Sequence, residues 1–331
     1  MRYIPSYIKL LNSGELNQRV RKANKILEEC VGCPHECSVD RTKGEIGICF
    51  SGSMPVVSSY TKHLGEEPVL SGTKGAGNIF FGNCNLRCVY CQNYDISQNF
   101  KSEKMNEVTI EKLADIMLKL QESGCHNIGL VSPTHFVVQI LSAIKIAAEN
   151  GLYLPIIYNS NGYDSVEMLK LLEGVIDIYL PDIKYGDNDS GKKYSKAPNY
   201  FDKAKLAVKE MYRQVGSLLI YEDNLVVRGL IIRHLVLPNG LAETENVFDF
   251  ISKELDNKIH ISLMSQYYPA NKAEEEMLLS RQLRHNEYSK AVDLLDIYGL
   301  TNGWIQEMES SDFYRPQFET DRKNPFNHKL E

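Results

Sequence analysis

Three cysteines on one short loop, Cys84, Cys88 and Cys91 in the string Phe81-Gly-Asn-Cys-Asn-Leu-Arg-Cys-Val-Tyr-Cys-Gln-Asn93, constrain this chain more than any other feature. A Cys-x3-Cys-x2-Cys triplet can hold three corners of a cubane iron–sulfur cluster and leaves the fourth iron without a protein ligand, whereas electron-transfer clusters are closed by four thiolates. As with zinc, an open coordination position separates catalytic from structural sites. Eight cysteines in 331 residues are too few for coincidence to explain the spacing. Two more at fixed offsets from a given cysteine arise by accident roughly six times in ten thousand.

With 43% apolar residues the chain can bury a large core. Its formal net charge is −6 and its lysines and arginines are spread along the sequence, so no basic footprint for nucleic acid or an anionic membrane stands out. The start, Met1-Arg-Tyr-Ile-Pro-Ser-Tyr-Ile-Lys9, has no apolar leader core, and no stretch is long and apolar enough to span a bilayer. A cytoplasmic location is expected. In a reducing compartment, closely spaced cysteines point to metal rather than to disulfides.

Seven of the eight cysteines fall between Cys30 and Cys91, and Cys125 stands alone as a core residue. Residues 1–74, short in pattern and rich in Gly and Ser, read as an irregular cysteine-rich N-terminal cap. Residues 75–300 alternate apolar runs with amphipathic stretches. The runs are Asn78–Phe81, Asn127–Val131, Pro155–Tyr158, Ile176–Leu180, Gly229–Leu237 and His260–Met264. Leu113, Met117 and Leu120 follow helical spacing up to Gly124, and Val138, Leu141 and Ile144 repeat the pattern up to Gly151. Strand–helix alternation with continuous apolar strands predicts an α/β fold with a parallel sheet, a partial (β/α)6 TIM-like barrel, with a doubly wound sheet as the other solution. Either places ligands at the carboxyl ends of the strands, where the cysteine loop follows the first run. Residues 301–331 read as a C-terminal segment packing on that core, with a loose charged tail from Thr320.

The triplet, with Tyr90 before its last cysteine and a strand just upstream, resembles the signature of radical S-adenosylmethionine (radical SAM) enzymes. Gly65-Glu-Glu-Pro-Val-Leu-Ser-Gly72, Asn78-Ile-Phe-Phe-Gly-Asn83 and Cys91-Gln-Asn-Tyr-Asp-Ile-Ser-Gln98 resemble the PflX-type group, related to pyruvate formate-lyase activating enzymes. The resemblance implies a [4Fe-4S] cluster on Cys84, Cys88 and Cys91 whose open iron is chelated by the amino and carboxylate groups of S-adenosyl-L-methionine. It implies reductive cleavage of the sulfonium, hydrogen abstraction by a 5′-deoxyadenosyl radical, and a reductant such as flavodoxin or ferredoxin. The hard chemistry is the cofactors'; the protein positions them.

Position by position, the resemblance places Tyr90 near the adenine and gives the methionine amino group to Ser132 and Thr134, which stand in Leu130-Val-Ser-Pro-Thr-His135 where the family has Gly-Gly-Glu. Asn159-Ser-Asn161-Gly matches an element reaching the ribose, Asp182-Ile-Lys184 one in which the lysine faces the methionine carboxylate, and Arg233-His234 an Arg-Tyr pair at the fifth strand. Read without the resemblance, Asp182 and Lys184 can equally be an exposed ion pair, Arg233 a tie between loops, and His135 and His234 satisfied structural histidines.

Cys30-Val-Gly-Cys33-Pro-His-Glu-Cys37, followed by Cys49, supplies four more thiolates, enough for a tetrahedral zinc or an auxiliary iron–sulfur cluster. The expected function is a radical SAM oxidoreductase, in its most specific form the activase of a glycyl-radical protein. The other readings are radical modification of a small molecule, with Trp304, Gln306 and Tyr314 closing the mouth, or of another protein, and a non-catalytic metal-binding module.

Overall fold

The structure, a computed structural model, describes residues 3–310 and 315–326. Nine strands form one sheet: β1 Val57–His63, β2 Ala76–Phe81, β3 Ile128–Val131, β4 Ile156–Asn159, β5 Ile178–Tyr179, β6 Ile220–Glu222, β7 Leu225–Leu235, β8 His260–Met264 and β9 Gly303–Ile305. Their order is β1-β2-β3-β4-β5-β7-β8-β9, with β6 paired to β7 off this path. From β2 to β9 along the path every pairing is parallel, while β1 on β2 and β6 on β7 are antiparallel. The six strand–helix units expected from the apolar runs are present, and β9 adds a seventh parallel strand. The sheet has two free ends among the described residues, so the barrel is partial.

The crossovers carry helices Ile110–Glu122, Val137–Glu149, Val166–Leu171, Tyr200–Val215, Thr244–Glu254 and His285–Ile297. The first shows why the chain turns helical where it does. Thr109 accepts from the Lys112 backbone N–H at 3.1 Å and caps the start, Leu113, Met117 and Leu120 bury one stripe, and Gly124 at φ 84° ends the run. All six residues of β2 are buried, as a strand covered on both faces requires.

The two ends of the chain are more ordered than their sequence suggests. Helices Ser6–Asn12 and Glu15–Asn24 put Tyr7, Leu16 and Ala23 into the main core, and β1 extends the sheet. The stretch between them, residues 28–55, is irregular apart from one 3-10 turn at Arg41–Lys43. At the other end Phe318 is fully buried against Phe80 and Ile96, Ser59 Oγ donates to Arg322 O, and the Arg322 guanidinium lies 2.8 Å from the Glu103 carboxylate. The tail from Thr320 is therefore anchored as far as Phe326; residues 327–331, and Tyr314, lie outside the described residues. Among those residues no helix is long and apolar enough to cross a membrane.

Asp177, fully buried before β5, ties the N-terminal helix to the sheet by accepting from Tyr3 OH at 2.6 Å, Ser6 N at 2.9 Å and Ile156 N at 3.0 Å. Asp177→Ala strands these donors and is expected to cost about 3 kcal/mol in urea unfolding, with Asp177→Asn costing less. Unchanged stability in the alanine variant would remove this tie from the account.

Candidate active site

The cysteine loop leaves β2 at a sharp corner. Asn83 takes φ 64° and donates its backbone N–H to Ile96 O at 2.7 Å, which turns Cys84 back over the strand ends. Cys84, Cys88 and Cys91 all line one cavity of about 290 Å³ at the carboxyl ends of the parallel strands. Each sulfur meets a polar hydrogen. Cys84 Sγ accepts from Leu86 N at 3.3 Å and Asn161 Nδ2 at 3.5 Å, Cys88 Sγ accepts from Ser195 Oγ at 3.0 Å, and Cys91 Sγ shares a hydrogen bond with Ser97 Oγ at 3.2 Å. Burial pushes all three thiols up, Cys88 to about 11, so a cationic centre is needed to hold them as thiolates at neutral pH.

Among the described residues no three or more His, Cys, Asp or Glu side chains converge closely enough to hold one ion. A cubane makes no such demand, because each cysteine takes a different iron. Three buried sulfurs around a shared cavity, each with a donor, fit that cluster. All eight cysteines are free thiols.

The remaining expected residues divide. Tyr90, Ser132, Asn159, Asn161, Asp182, Lys184 and Arg233 all line the cavity; Thr134 does not. Tyr90 is buried edge-on to Tyr185 and Tyr267, with ring centroids at 6.2 and 5.8 Å. Ser132 sits at φ 56°, a left-handed conformation that turns the chain at the end of β3, and its N–H donates to Asn159 O at 2.9 Å. Thr134 instead donates to Asp164 Oδ1 at 2.7 Å, behind the cavity wall.

Lys184 Nζ lies 2.7 Å from Asp182 Oδ2 with about a fifth of each side chain exposed, so the pair is sequestered rather than at the surface. Burial alone would lower the lysine, but the Asp182 carboxylate and the Cys88 sulfur outweigh it and hold the ammonium above its usual range. Gly162, at φ 75°, lets the turn after β4 close on the turn after β5: a Cβ there would stand 2.5 Å from Asp182 O.

Arg233 clamps Glu67 with Nε–Oε1 at 2.8 Å and Nη2–Oε2 at 2.7 Å, and also bonds Glu66. Burial works against ionisation of Glu66, yet Arg233 and the Asn78 amide hold its carboxyl down to about 2. Glu66 and Glu67 line the cavity with His63, and the reading of individual site residues missed them although it quoted the Gly65-Glu-Glu-Pro string. It also missed Ser97 and Ser195, the hydroxyls at the sulfurs. On the far wall Gln306 Nε2 donates to Gln266 Oε1 at 2.9 Å and Gln92 Nε2 to Gln266 O at 2.8 Å, with Trp304, Pro316 and Phe326 completing the rim.

His135 and His234 are structural. Their rings bond Gly82 O at 2.9 Å and Ile183 O at 2.7 Å. Cys125 lies in the main core.

The N-terminal cysteines adjoin this site. Cys33 and Cys49 are buried, and burial first, then repulsion from Cys49, Cys30 and Cys37, raises the Cys33 thiol. Gly47 packs so closely on Cys37 that a Cβ would stand 2.7 Å from its Sγ. Arg87, inside the triplet, donates to Ile48 O at 2.7 Å and Ser97 O at 3.0 Å and lies over the Phe50 ring, and His35 Nε2 is 2.8 Å from Asn85 O.

Thiols gathered at the strand ends beside a sequestered lysine place this protein among enzymes that use an iron–sulfur cluster to activate a bound cosubstrate. The profile of the Radical SAM superfamily matches residues 78–251, and the chain belongs to that superfamily, which implies a [4Fe-4S] cluster and S-adenosylmethionine. An uncharacterized protein of Methanocaldococcus jannaschii, MJ0674, is 37% identical over 292 residues, covering 86% of this chain and 79% of its own length. The pyruvate formate-lyase-activating enzyme of Clostridium pasteurianum is 28% identical over 221 residues, 63% of this chain and 82% of that protein. The solved structure of HydG, a maturase of the [FeFe]-hydrogenase, aligns at 13% identity with a TM-score of 0.45 over 89% of this chain and 66% of that one.

Burial lowers His135 to about 3 and His234 to about 4. A histidine depressed in the folded state takes up its proton on unfolding, so the stability it contributes is complete above its unfolded value near 6.5 and falls as pH drops below it. Each is expected to cost about 2 kcal/mol between pH 8 and pH 5. Chemical denaturation across that range checks this, and His234→Gln should flatten the slope.

Proposed function

We propose that this protein cleaves S-adenosylmethionine reductively on a cluster held by Cys84, Cys88 and Cys91 and takes a hydrogen atom from a small molecule bound in the same cavity. Bound there, the cluster and cosubstrate supply a one-electron cleavage of the sulfonium, releasing methionine and a radical that becomes 5′-deoxyadenosine on abstracting hydrogen. The electron comes from an external donor of the flavodoxin or ferredoxin type.

The chain's own groups do the positioning. Lys184 offers its ammonium to the methionine carboxylate, Ser132 and the Asn159–Asn161 turn offer hydroxyl, carbonyl and amide groups to the amino group and ribose, and Tyr90 gives the adenine an aromatic face. Asp182 keeps Lys184 charged and aimed, and Arg233, held by Glu66 and Glu67 and bridged through its backbone to the Asp182 segment, adds a second cation beside it. Phe80, Phe326 and Trp304 shield the cavity from water.

The observation that favours a small substrate is the rim. Pro316 and Phe326 line the cavity itself, and Phe318 beside them is fully buried, so the C-terminal segment takes up part of the cavity wall and narrows the space left for a peptide loop. Activation of a glycyl-radical protein is the second reading, favoured by the similarity to the Clostridium pasteurianum activating enzyme. We further assign an auxiliary iron–sulfur cluster to Cys30, Cys33, Cys37 and Cys49, whose thiols, like those of the triplet, do not close on a single ion.

Anaerobically reconstituted protein with dithionite is expected to release 5′-deoxyadenosine and methionine, and Cys84→Ala, Cys88→Ala and Cys91→Ala are expected to fall to background. No cleavage by protein carrying a full four-iron cluster overturns the reading. An electron paramagnetic resonance doublet on a candidate glycyl-radical partner would transfer the substrate from a small molecule to that protein. Elemental analysis should find four further irons that a Cys30→Ser/Cys33→Ser variant loses while keeping the triplet's four; no iron beyond those four sinks the second site.

A further inference from the structure

Asp164 is nine-tenths or more buried and does not line the site cavity, yet both cosubstrate loops are fastened to it. Thr134 Oγ1 donates to its Oδ1 at 2.7 Å, Tyr158 OH to the same oxygen at 2.9 Å, and Ser160 Oγ to Oδ2 at 2.6 Å. The first belongs to the turn after β3 that carries Ser132. The other two flank Asn159 at the end of β4.

The fastening continues toward the cluster loop. Ser160 Oγ, while donating to Asp164, accepts from Gly162 N at 3.2 Å, which closes the turn that presents Asn161. Asn161 Nδ2 then donates to Asn85 Oδ1 at 2.8 Å and Cys84 Sγ at 3.5 Å, and Asn85 Nδ2 returns a bond to Tyr163 O at 2.9 Å. One carboxylate therefore links the β3 turn, the β4 turn and the first cysteine.

We propose that Asp164 is the positioning residue for S-adenosylmethionine, acting through Thr134 and Ser160 to hold Ser132 and Asn159–Asn161 at their binding distances. Three hydroxyls converge on it and all can donate, so only a group that accepts on both oxygens satisfies them; burial raises its carboxyl, and the three hydroxyls oppose that by stabilising the charged form. An amide at this position turns an N–H toward at least one of these hydroxyls and loosens at least one loop. Partners one shell out from a metal or ligand site typically change affinity by about 10–100-fold when altered. Thr134, expected from the sequence to touch the cosubstrate, serves it through this carboxylate instead.

The proposal rests on the radical SAM reading of the cavity, and binding to the oxidised, reconstituted holoenzyme separates the two. Wild-type protein that fails to bind S-adenosylmethionine in anaerobic equilibrium dialysis overturns that reading and this one with it. Given wild-type binding, Asp164→Asn is expected to weaken it at least tenfold, to raise the KM for S-adenosylmethionine while kcat for 5′-deoxyadenosine changes less than about threefold, and to leave the iron content at four per triplet. The reduced-cluster resonance should shift on adding cosubstrate only at correspondingly higher concentration. Thr134→Val and Ser160→Ala cut one arm each and stand in if Asp164→Asn does not fold. Each is expected to give part of the loss, and Asp164→Asn/Thr134→Val no more than Asp164→Asn. Binding at the wild-type level in folded Asp164→Asn, or in both single-arm variants, overturns the proposal, as does a parallel fall in cluster content and affinity.

Discussion

Sulfur that must be anionic in a buried place is the constraint around which this molecule is arranged. Three thiols set into the carboxyl-end cavity of a parallel sheet resist ionisation, since burial stabilises their neutral forms. What makes the site usable is the hydrogen-bonding around them: a backbone N–H and an asparagine for Cys84, and serines from two different segments for Cys88 and Cys91. Lys184, behind Cys88, adds a cation that the Asp182 carboxylate keeps in place. The same cations and donors that favour thiolates also suit an anionic cosubstrate group, so one electrostatic design serves both ligands of the cavity.

Much of this was legible because it is local. The six apolar runs became the six strands that begin the strand–helix units, the triplet with Tyr90 fell on the loop after the first, and Asn161 and Lys184 lie within a few residues of a strand end. What escaped lies far apart along the chain. Ser195 meets Cys88 across 107 residues and Arg233 meets Glu67 across 166, separations over which no periodicity carries information. Thr134 shows a subtler limit. Its proximity to the site was readable, but whether a threonine at a strand end faces the ligand or the carboxylate behind it depends on a turn set by Ser132 at φ 56°, an unusual conformation for serine.

The ends of the chain were misjudged for a related reason. Helices Ser6–Asn12 and Glu15–Asn24 and strand β1 are stabilised by packing on the barrel, chiefly against helix Val137–Glu149 and β2, rather than by strong local preference. The irregular stretch between them contributes no side chain to the main core, and it is tied to the triplet loop by Arg87 and His35. The C-terminal residues Phe318 and Phe326 complete the rim in the same way, through aromatic contacts with Phe80.

The donors that face the three sulfurs come from separate segments, with Asn161 in the turn after β4 and Ser195 ending the helix Asn188–Ser195 that follows β5. Hydrogen bonds to sulfur strengthen as negative charge accumulates there. A cluster held there would therefore, on gaining an electron, draw more tightly on donors from two separate segments of the barrel at once.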